Sequence, residues 1–109
     1  MSTISVSEQV ESALEFTGDV DTYDIYLPGL RSYEFDVRGK PDSAGNLFYP
    51  KLAIYDGNRT RVAFNDNDGS SSTDVHIDYK ATSGGWYMVE VAGRAGSSGY
   101  YSLTSALVV

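Results

Sequence analysis

Apolar and polar residues alternate along several short stretches of this sequence, and that alternation limits the possible folds more than any other feature. Successive side chains of a β-strand point to opposite faces, so such a stretch indicates a strand with one buried face. The strands have their apolar positions at Tyr23, Ile25, Leu27; Tyr33, Phe35, Val37; Leu52, Ile54; Val62, Phe64; Val75, Ile77, Tyr79; Tyr87, Val89, Val91; and Tyr101, Leu103, which the polar Ser105 follows in the last strand. Turn-forming residues separate the strands, which start roughly every 10–12 residues.

The turns favour strands joined by short connections. In Pro28-Gly29 the proline presets φ and the glycine accepts a positive φ, and Asp56-Gly57 favours a tight hairpin. A further strand is predicted at residues 13–16, which brings the total to about eight. Residues 6–14 have some helical potential, but the segment is short and we expect it to be extended. The pattern predicts an all-β sandwich or jelly roll, not βαβ units.

Composition excludes several classes of function. The 109 residues suffice for one domain. With 15 acidic and 8 basic residues, the net charge of −7 disfavours binding to nucleic acid or to an anionic membrane surface. The chain has no cysteine, which excludes disulfides, thiolate metal sites and cysteine nucleophiles. It also has no apolar run near the roughly 20 residues that span a bilayer, so no membrane insertion is expected.

Six motifs follow one another in a specific order. They are GDVDTY at residues 18–23, YEFDV at 33–37, PKLAIYD at 50–56, VAFNDND at 62–68, GWYMVEVAG at 85–93 and GYYSLT at 99–104. Together they resemble the bacterial pre-peptidase C-terminal domain family, and the resemblance covers roughly residues 10–107. Residues 1–109 are therefore interpreted as one domain, in which residues 1–9 form a flexible or extended leader.

The resemblance implies an antiparallel β-sandwich of jelly-roll type that serves as a non-catalytic accessory module of a secreted bacterial protein. Such modules are linked to secretion and to attachment to a surface or substrate. The implied partners are a polymeric substrate, a cell surface or another domain of the parent protein. We expect the chain to be secreted or at the cell surface as part of a larger protein. Its N-terminus has neither the basic region nor the apolar core of a cleavable signal peptide.

Two acidic pairs are candidate calcium ligands. Asp19 and Asp21 lie two positions apart, so on an extended chain their carboxylates point the same way, about 6.5 Å apart. A cation or water must screen their repulsion, and Ca²⁺ prefers oxygen ligands. Asp66 and Asp68 resemble half of an EF-hand loop, but Val75 stands where an EF-hand has its bidentate glutamate, so this is not an EF-hand. Solvated acidic loops are the alternative at both places.

The resemblance also bears on calcium. The related collagen-binding domains of bacterial collagenases bind calcium near the acidic turn before their second strand. They draw further acidic ligands from the segment before the first strand, where this chain offers Glu8, Glu11 and Glu15. Calcium is therefore the expected cofactor.

Four aromatic residues flank the predicted core positions and are candidates for ligand binding: Tyr26, Tyr55, Trp86 and Tyr100. Exposed tyrosine and tryptophan side chains offer large, rigid contact areas. Coplanar rings on one sheet face would make the chain a carbohydrate-binding module, which is the alternative function. Burial at the rim of the sandwich is the competing interpretation.

His76 is the only histidine, and it shares a predicted strand face with Asp74 and Asp78. A His–Asp catalytic pair or a transition-metal site is conceivable there. No nucleophile elbow, HExxH or paired-carboxylate motif accompanies it. We therefore expect a solvent-facing histidine with cross-strand partners, and a protein that is not an enzyme.

Overall fold

The computed structural model describes residues 2–14, 19–39, 50–65, 74–93 and 99–108. Nine β-strands and no helix occur in these ranges. The strands are β1 (Ser2–Ile4), β2 (Gln9–Leu14), β3 (Val20–Leu27), β4 (Arg31–Gly39), β5 (Pro50–Tyr55), β6 (Arg61–Asn65), β7 (Asp74–Ala81), β8 (Gly85–Gly93) and β9 (Gly99–Val108). No helix in this part of the chain is long and apolar enough to cross a membrane.

The strands form two sheets packed face to face. The five-stranded sheet has the order β1-β3-β8-β5-β6, and the four-stranded sheet has the order β2-β9-β4-β7. The pair β1–β3 is parallel, and the other pairs are antiparallel. Consecutive strands lie in different sheets, except for β5 and β6, which form a hairpin within the five-stranded sheet. The predicted all-β antiparallel sandwich is confirmed, whereas its jelly-roll type stays a prediction.

The N-terminal segment contributes a strand beyond the eight expected. Residues 2–4, which the sequence analysis places in a leader, form β1 beside β3, and Ile4 is buried there opposite Ile25. Residues 9–14, expected to be extended, form β2 along β9. A backbone hydrogen bond from the Ser7 amide to the Ser105 carbonyl holds the connection between β1 and β2 against the four-stranded sheet.

The core lies between the sheets and consists of the inward residues of the alternating strands. Burying these side chains supplies the main driving force for folding. The largest fully buried side chains are Tyr33, Tyr101, Phe35, Leu14, Ile25, Leu27, Leu52, Ile54, Leu103, Val37 and Val75. Ser105 is buried among them, and its hydroxyl oxygen has no hydrogen-bond partner among the described residues. Nearly every predicted apolar strand position faces this core.

Phe64 is an exception, and a β-bulge explains it. Ile54 pairs with Ala63, but Tyr55 pairs with Arg61, so Val62 is an extra residue in β6. An extra residue reverses which side chains face inward beyond it. The Phe64 side chain consequently lies on the outer face, 44% exposed, with the Arg61 guanidinium 4.5 Å from the centre of its ring.

The Pro28-Gly29 turn exists, but the reason predicted for its glycine is wrong. The residue with positive φ is Leu30, at 61°, and not Gly29. Gly29 lies instead against the turn between β7 and β8, where a Cβ atom would come within 2.6 Å of the Gly84 amide nitrogen. The Leu30 amide also donates a hydrogen bond to the Ala81 carbonyl, so the two turns are joined through their backbones.

Candidate functional site

The outer side of the five-stranded sheet carries a cluster of aromatic residues. Tyr26 and Trp86 are directly paired on β3 and β8, with 51% and 55% of their surfaces exposed. Their rings meet edge to face, with centroids 5.6 Å apart and planes inclined at 77°. Tyr55 lies half-buried on β5, where it pairs with Met88 of β8. We call this surface, around Tyr26, Tyr55 and Trp86, the aromatic face.

A groove runs along the aromatic face beside the β5–β6 loop. It is lined by Asp24, Tyr55, Asp56, Gly57, Arg59, Trp86, Tyr87 and Met88. Two carboxylates, one guanidinium and several apolar surfaces therefore meet in one shallow depression. Such a combination of large apolar contacts with a few polar groups is typical of a binding site.

The β5–β6 loop that borders the groove is held by its own hydrogen bonds. The Asp56 carboxylate accepts bonds from the amides of Asn58 and Thr60, at 2.9 and 3.0 Å. The Arg59 amide donates to the Asp56 carbonyl at 3.0 Å, and Arg59 itself has a φ of 63°. The hairpin predicted from Asp56-Gly57 is present, with Arg59 and not the glycine in the left-handed region. The Arg59 guanidinium lies 3.8 Å from the Met88 sulfur.

The fourth predicted aromatic residue lies elsewhere. Tyr100 is on β9, paired with Ala13 of β2, on the outer side of the four-stranded sheet, and it is 50% exposed. The structure thus brings together three of the four candidates and separates Tyr100 from them. The sequence analysis did not identify Phe64 as a member of the outer surface, because the bulge in β6 leaves no trace in the alternation.

The outer side of the four-stranded sheet carries charges instead. Asp36 of β4 pairs directly with His76 of β7, and Glu34 pairs with Asp78. His76 Nδ1 lies 2.7 Å from Asp36 Oδ1, and His76 Nε2 lies 2.8 Å from Asp78 Oδ1. The hydrogen bond to Asp36 is the main cause that raises the pKa of His76 above its usual value. We call these four residues the charged face.

His76 faces solvent and has a cross-strand partner, as expected, but its carboxylate neighbours on β4 were not anticipated. Ligand atoms of Glu34, His76 and Asp78 all lie within 4.8 Å of one another. Among the described residues, these three form the one group of three or more His, Cys, Asp or Glu side chains that could hold a metal ion. The register between β4 and β7 creates it, and a single sequence does not reveal that register.

The first acidic pair is only partly directed to solvent. Asp19 accepts a hydrogen bond from the Val20 amide at 2.9 Å. Asp21 accepts one from the Tyr101 hydroxyl at 2.6 Å, and the Tyr23 hydroxyl lies 2.5 Å from that of Tyr101. Since Tyr101 donates to the carboxylate, Tyr23 donates to Tyr101. Burial, followed by this bond to Asp21, raises the pKa of Tyr101 far above its ordinary value.

The other candidate calcium ligands fall partly within the described ranges. Asp66, Asp68 and Glu15 lie outside the described residues. Glu8 accepts a hydrogen bond from the Ser5 amide at 3.0 Å. The calcium ligands therefore stay a prediction. Of the four predicted aspartates, the described ranges include Asp19, directly before β3, and Asp21, within it.

Comparisons with known proteins support the fold. No family model matches the sequence, and no curated protein is significantly similar to it. The pre-peptidase C-terminal domain of collagenase from Bacillus anthracis is similar in structure, with a TM-score of 0.74 and 14% identity over 95% of this chain and 92% of that one. The Aeromonas hydrophila protein PliG, a periplasmic inhibitor of g-type lysozyme, has a TM-score of 0.56 and 17% identity over 98% of this chain and 96% of that one. The resemblance to a pre-peptidase C-terminal domain is thereby confirmed at the level of the fold.

Proposed function

We propose that this chain is a non-catalytic accessory module of an exported protein, which attaches that protein to a polymeric target through the aromatic face. The structural likeness to a pre-peptidase C-terminal domain spans nearly the whole of both chains, and this supports an accessory role. The other similar structure belongs to a periplasmic protein, which supports export. Among the described residues, the hydrogen-bond partners of the His76 ring are carboxylates, with no nucleophile among them.

The observation that carries the proposal is the exposure of Tyr26 and Trp86 side by side on two paired strands. Tryptophan and tyrosine are the side chains most enriched among residues that dominate binding energies. Here both are held by strands that pair along their whole length. Because the sheet fixes their positions, little conformational entropy is lost when a partner covers them.

The test compares two exposed aromatic residues on opposite sheets. Trp86→Ala and Tyr100→Ala are assayed for retention on immobilised fibrous proteins, cell-wall preparations and insoluble polysaccharides. We expect Trp86→Ala to weaken binding about thirtyfold, as for a dominant interface residue, and Tyr100→Ala to bind like the wild type. If the wild type binds none of these targets, or if both variants bind as the wild type does, the proposal is wrong.

Weak calcium binding through Asp19, Asp21, Asp66 and Asp68 is part of the same proposal. Extracellular modules bind calcium with dissociation constants of about 10⁻⁴–10⁻³ M. At millimolar calcium this stabilises the fold by about 0.4–1.4 kcal/mol. Calorimetric titration and thermal unfolding with and without calcium test it, with Asp19→Asn as the variant. The absence of both heat and thermal shift would rule calcium out.

A carbohydrate-binding module remains the alternative, and the geometry makes its test specific. The planes of Tyr26 and Trp86 are inclined at 77°, so these two rings do not form one flat platform for a sugar chain. A single sugar ring could still stack on Trp86 beside the groove. A glycan array without hits for the wild type would exclude this function.

Inhibition of a lysozyme is the function that the second similar structure suggests. A turbidity assay of cell-wall lysis with and without the chain tests it directly. The attachment proposal predicts no inhibition at equimolar concentration. Stoichiometric inhibition would contradict the attachment proposal and would favour lysozyme inhibition as the function.

A further inference from the structure

We propose that the charged face binds a first-row transition-metal ion, with Zn²⁺ as the representative, through Glu34, His76 and Asp78. Their ligand atoms already lie within 4.8 Å of one another on two adjacent strands. Zinc bonds to nitrogen and oxygen are about 2.0–2.2 Å long, which places neighbouring tetrahedral ligands about 3.4 Å apart. His76 Nε2 and Asp78 Oδ1, now 2.8 Å apart, need to separate by only a small side-chain rotation.

Asp36 is the positioning residue of this site. Its carboxylate holds His76 Nδ1 at 2.7 Å from the neighbouring strand. With Nδ1 bound in this way, Nε2 is the nitrogen that remains for a metal, and it points towards Asp78. A carboxylate on the far nitrogen of a ligating histidine fixes the ring and increases its basicity, which is the arrangement common in zinc proteins.

The charge balance of the face also favours a cation. Three carboxylates, those of Glu34, Asp36 and Asp78, surround one imidazole. In the described part of the chain, the ion pairs of these carboxylates are those with His76. The residues of β9 that pair with Asp36 and Glu34 are Thr104 and Ala106, which carry no charge. A divalent ion would neutralise a repulsion that no ion pair with a lysine or arginine of the described ranges relieves.

The chemistry of the ligands selects the kind of ion. One imidazole with two carboxylates suits zinc, cobalt, nickel or copper, whereas calcium and magnesium prefer oxygen ligands alone. The His76 side chain is 44% exposed and that of Asp78 is 75% exposed, so water completes the coordination sphere. This site lies on the opposite sheet from the aromatic face, and it does not depend on the proposed attachment function.

The test titrates the untagged chain with Zn²⁺ by calorimetry and with Co²⁺ by absorption spectroscopy. We expect saturable 1:1 binding and visible d–d bands of Co²⁺. Asp36→Asn should weaken Zn²⁺ binding about 10–100-fold, as for other residues that orient a ligand, and His76→Asn should weaken it at least as much. Glu90, which lies on β8 of the other sheet opposite Thr22 of β3, supplies the control: Glu90→Gln removes a carboxylate there and should leave the affinity unchanged.

Three results would overturn the proposal. One is the absence of Zn²⁺ binding by the wild type. Another is His76→Asn binding Zn²⁺ as the wild type does. The third is displacement of Zn²⁺ by equal concentrations of Mg²⁺ or Ca²⁺, which would mean that acidic residues merely attract cations. NMR of the His76 ring in the wild type gives an answer even if a variant fails to fold, because Zn²⁺ must shift its resonances.

Discussion

The two outer faces of the sandwich are built by the same rule and carry opposite chemistry. On β3 and β8 the outward positions bring Tyr26 onto Trp86. On β4 and β7 the outward positions bring Asp36 onto His76. Both pairs are directly opposite each other on neighbouring antiparallel strands, and both rest on the same buried layer.

The difference shows that one set of residues determines the fold of this domain and another set determines its binding chemistry. The fully buried inward residues of all four strands are hydrophobic and set the register, whereas outward residues are free to differ. The aromatic face offers apolar contact with a few charges at its groove, and the charged face offers carboxylates and one imidazole. Substitutions on one face should therefore leave the chemistry of the other face intact, while substitutions in the shared interior should affect both.

The largest effect on stability is expected where the β3–β4 turn contacts the β7–β8 turn. The β3–β4 and β7–β8 turns each pass from one sheet to the other, and Gly29 meets Gly84 between them. In Gly29→Ala, the new Cβ would lie 2.6 Å from backbone, which cannot move cheaply. We expect a loss of about 2–3 kcal/mol in unfolding free energy, measured by urea denaturation.

A matched control is available in the loop beside the groove. A Cβ atom at Gly57 would lie 3.5 Å from the Trp86 carbonyl oxygen, which is ordinary contact. Gly57→Ala should therefore be close to neutral. If Gly29→Ala is equally neutral, the two turns are not in the close contact described.

The next effect concerns the tyrosines of the shared interior. Tyr101→Phe removes the hydroxyl between Asp21 and Tyr23, which leaves both without this partner. We expect a loss of about 1–3 kcal/mol at neutral pH, measured by urea denaturation. Tyr26→Phe, whose ring is half exposed, is the control and should change stability much less.

The raised pKa values of two buried tyrosines predict how the unfolding free energy changes at alkaline pH. Burial raises the pKa of Tyr87 to about 12, and burial also raises that of Tyr101. When the native state has the higher pKa, the stabilisation is complete below the unfolded value of about 10 and decreases as pH rises above it. Wild-type stability should fall from pH 10 to 11, and the fall should be smaller in Tyr101→Phe. An equal slope in both proteins would contradict the assignment.

These examples show which features a single sequence reveals. Alternation identifies inward residues such as Ile25 and Phe35, because the pleat of a strand imposes a period of two. It fails at Phe64, because one extra residue at Val62 reverses the pattern and nothing in the composition marks it. The Pro28-Gly29 pair locates a turn, but it does not reveal why the glycine is needed, since the close approach of two turns is a tertiary property.

The candidate sites illustrate the same limit. The sequence shows that Tyr26 and Trp86 flank core positions, yet their contact depends on the pairing of β3 with β8, about 60 residues apart in the chain. Asp36 and His76 likewise meet only through the β4–β7 register. Non-local register therefore decides which outward residues form a site, and a single sequence leaves it open.

A smaller effect is expected for the aromatic pair. Edge-to-face rings contribute about 0.5–1.5 kcal/mol beyond the area that they bury. A double-mutant cycle with Tyr26→Ala and Trp86→Ala should therefore give a coupling energy in that range, measured by urea denaturation. The pair Trp86→Ala and Tyr100→Ala, which lie on opposite sheets, should be additive. No coupling between Tyr26 and Trp86 would mean that the rings do not meet in solution.

The smallest effect belongs to the charged face and has the opposite sign. Glu34 lies directly across from Asp78, and like charges in such positions destabilise a sheet. In metal-free buffer of low ionic strength, Glu34→Gln should raise stability slightly and Glu34→Lys by about 0.2–1 kcal/mol. The gain should shrink at high salt, since Asp78 is exposed and Glu34 is only partly buried, so that salt screens their repulsion. If Glu34→Lys is destabilising at low salt, Glu34 makes a contact that the free protein needs. A gain would show that Glu34 reduces the stability of the free protein, as expected if this carboxylate is there for a cation.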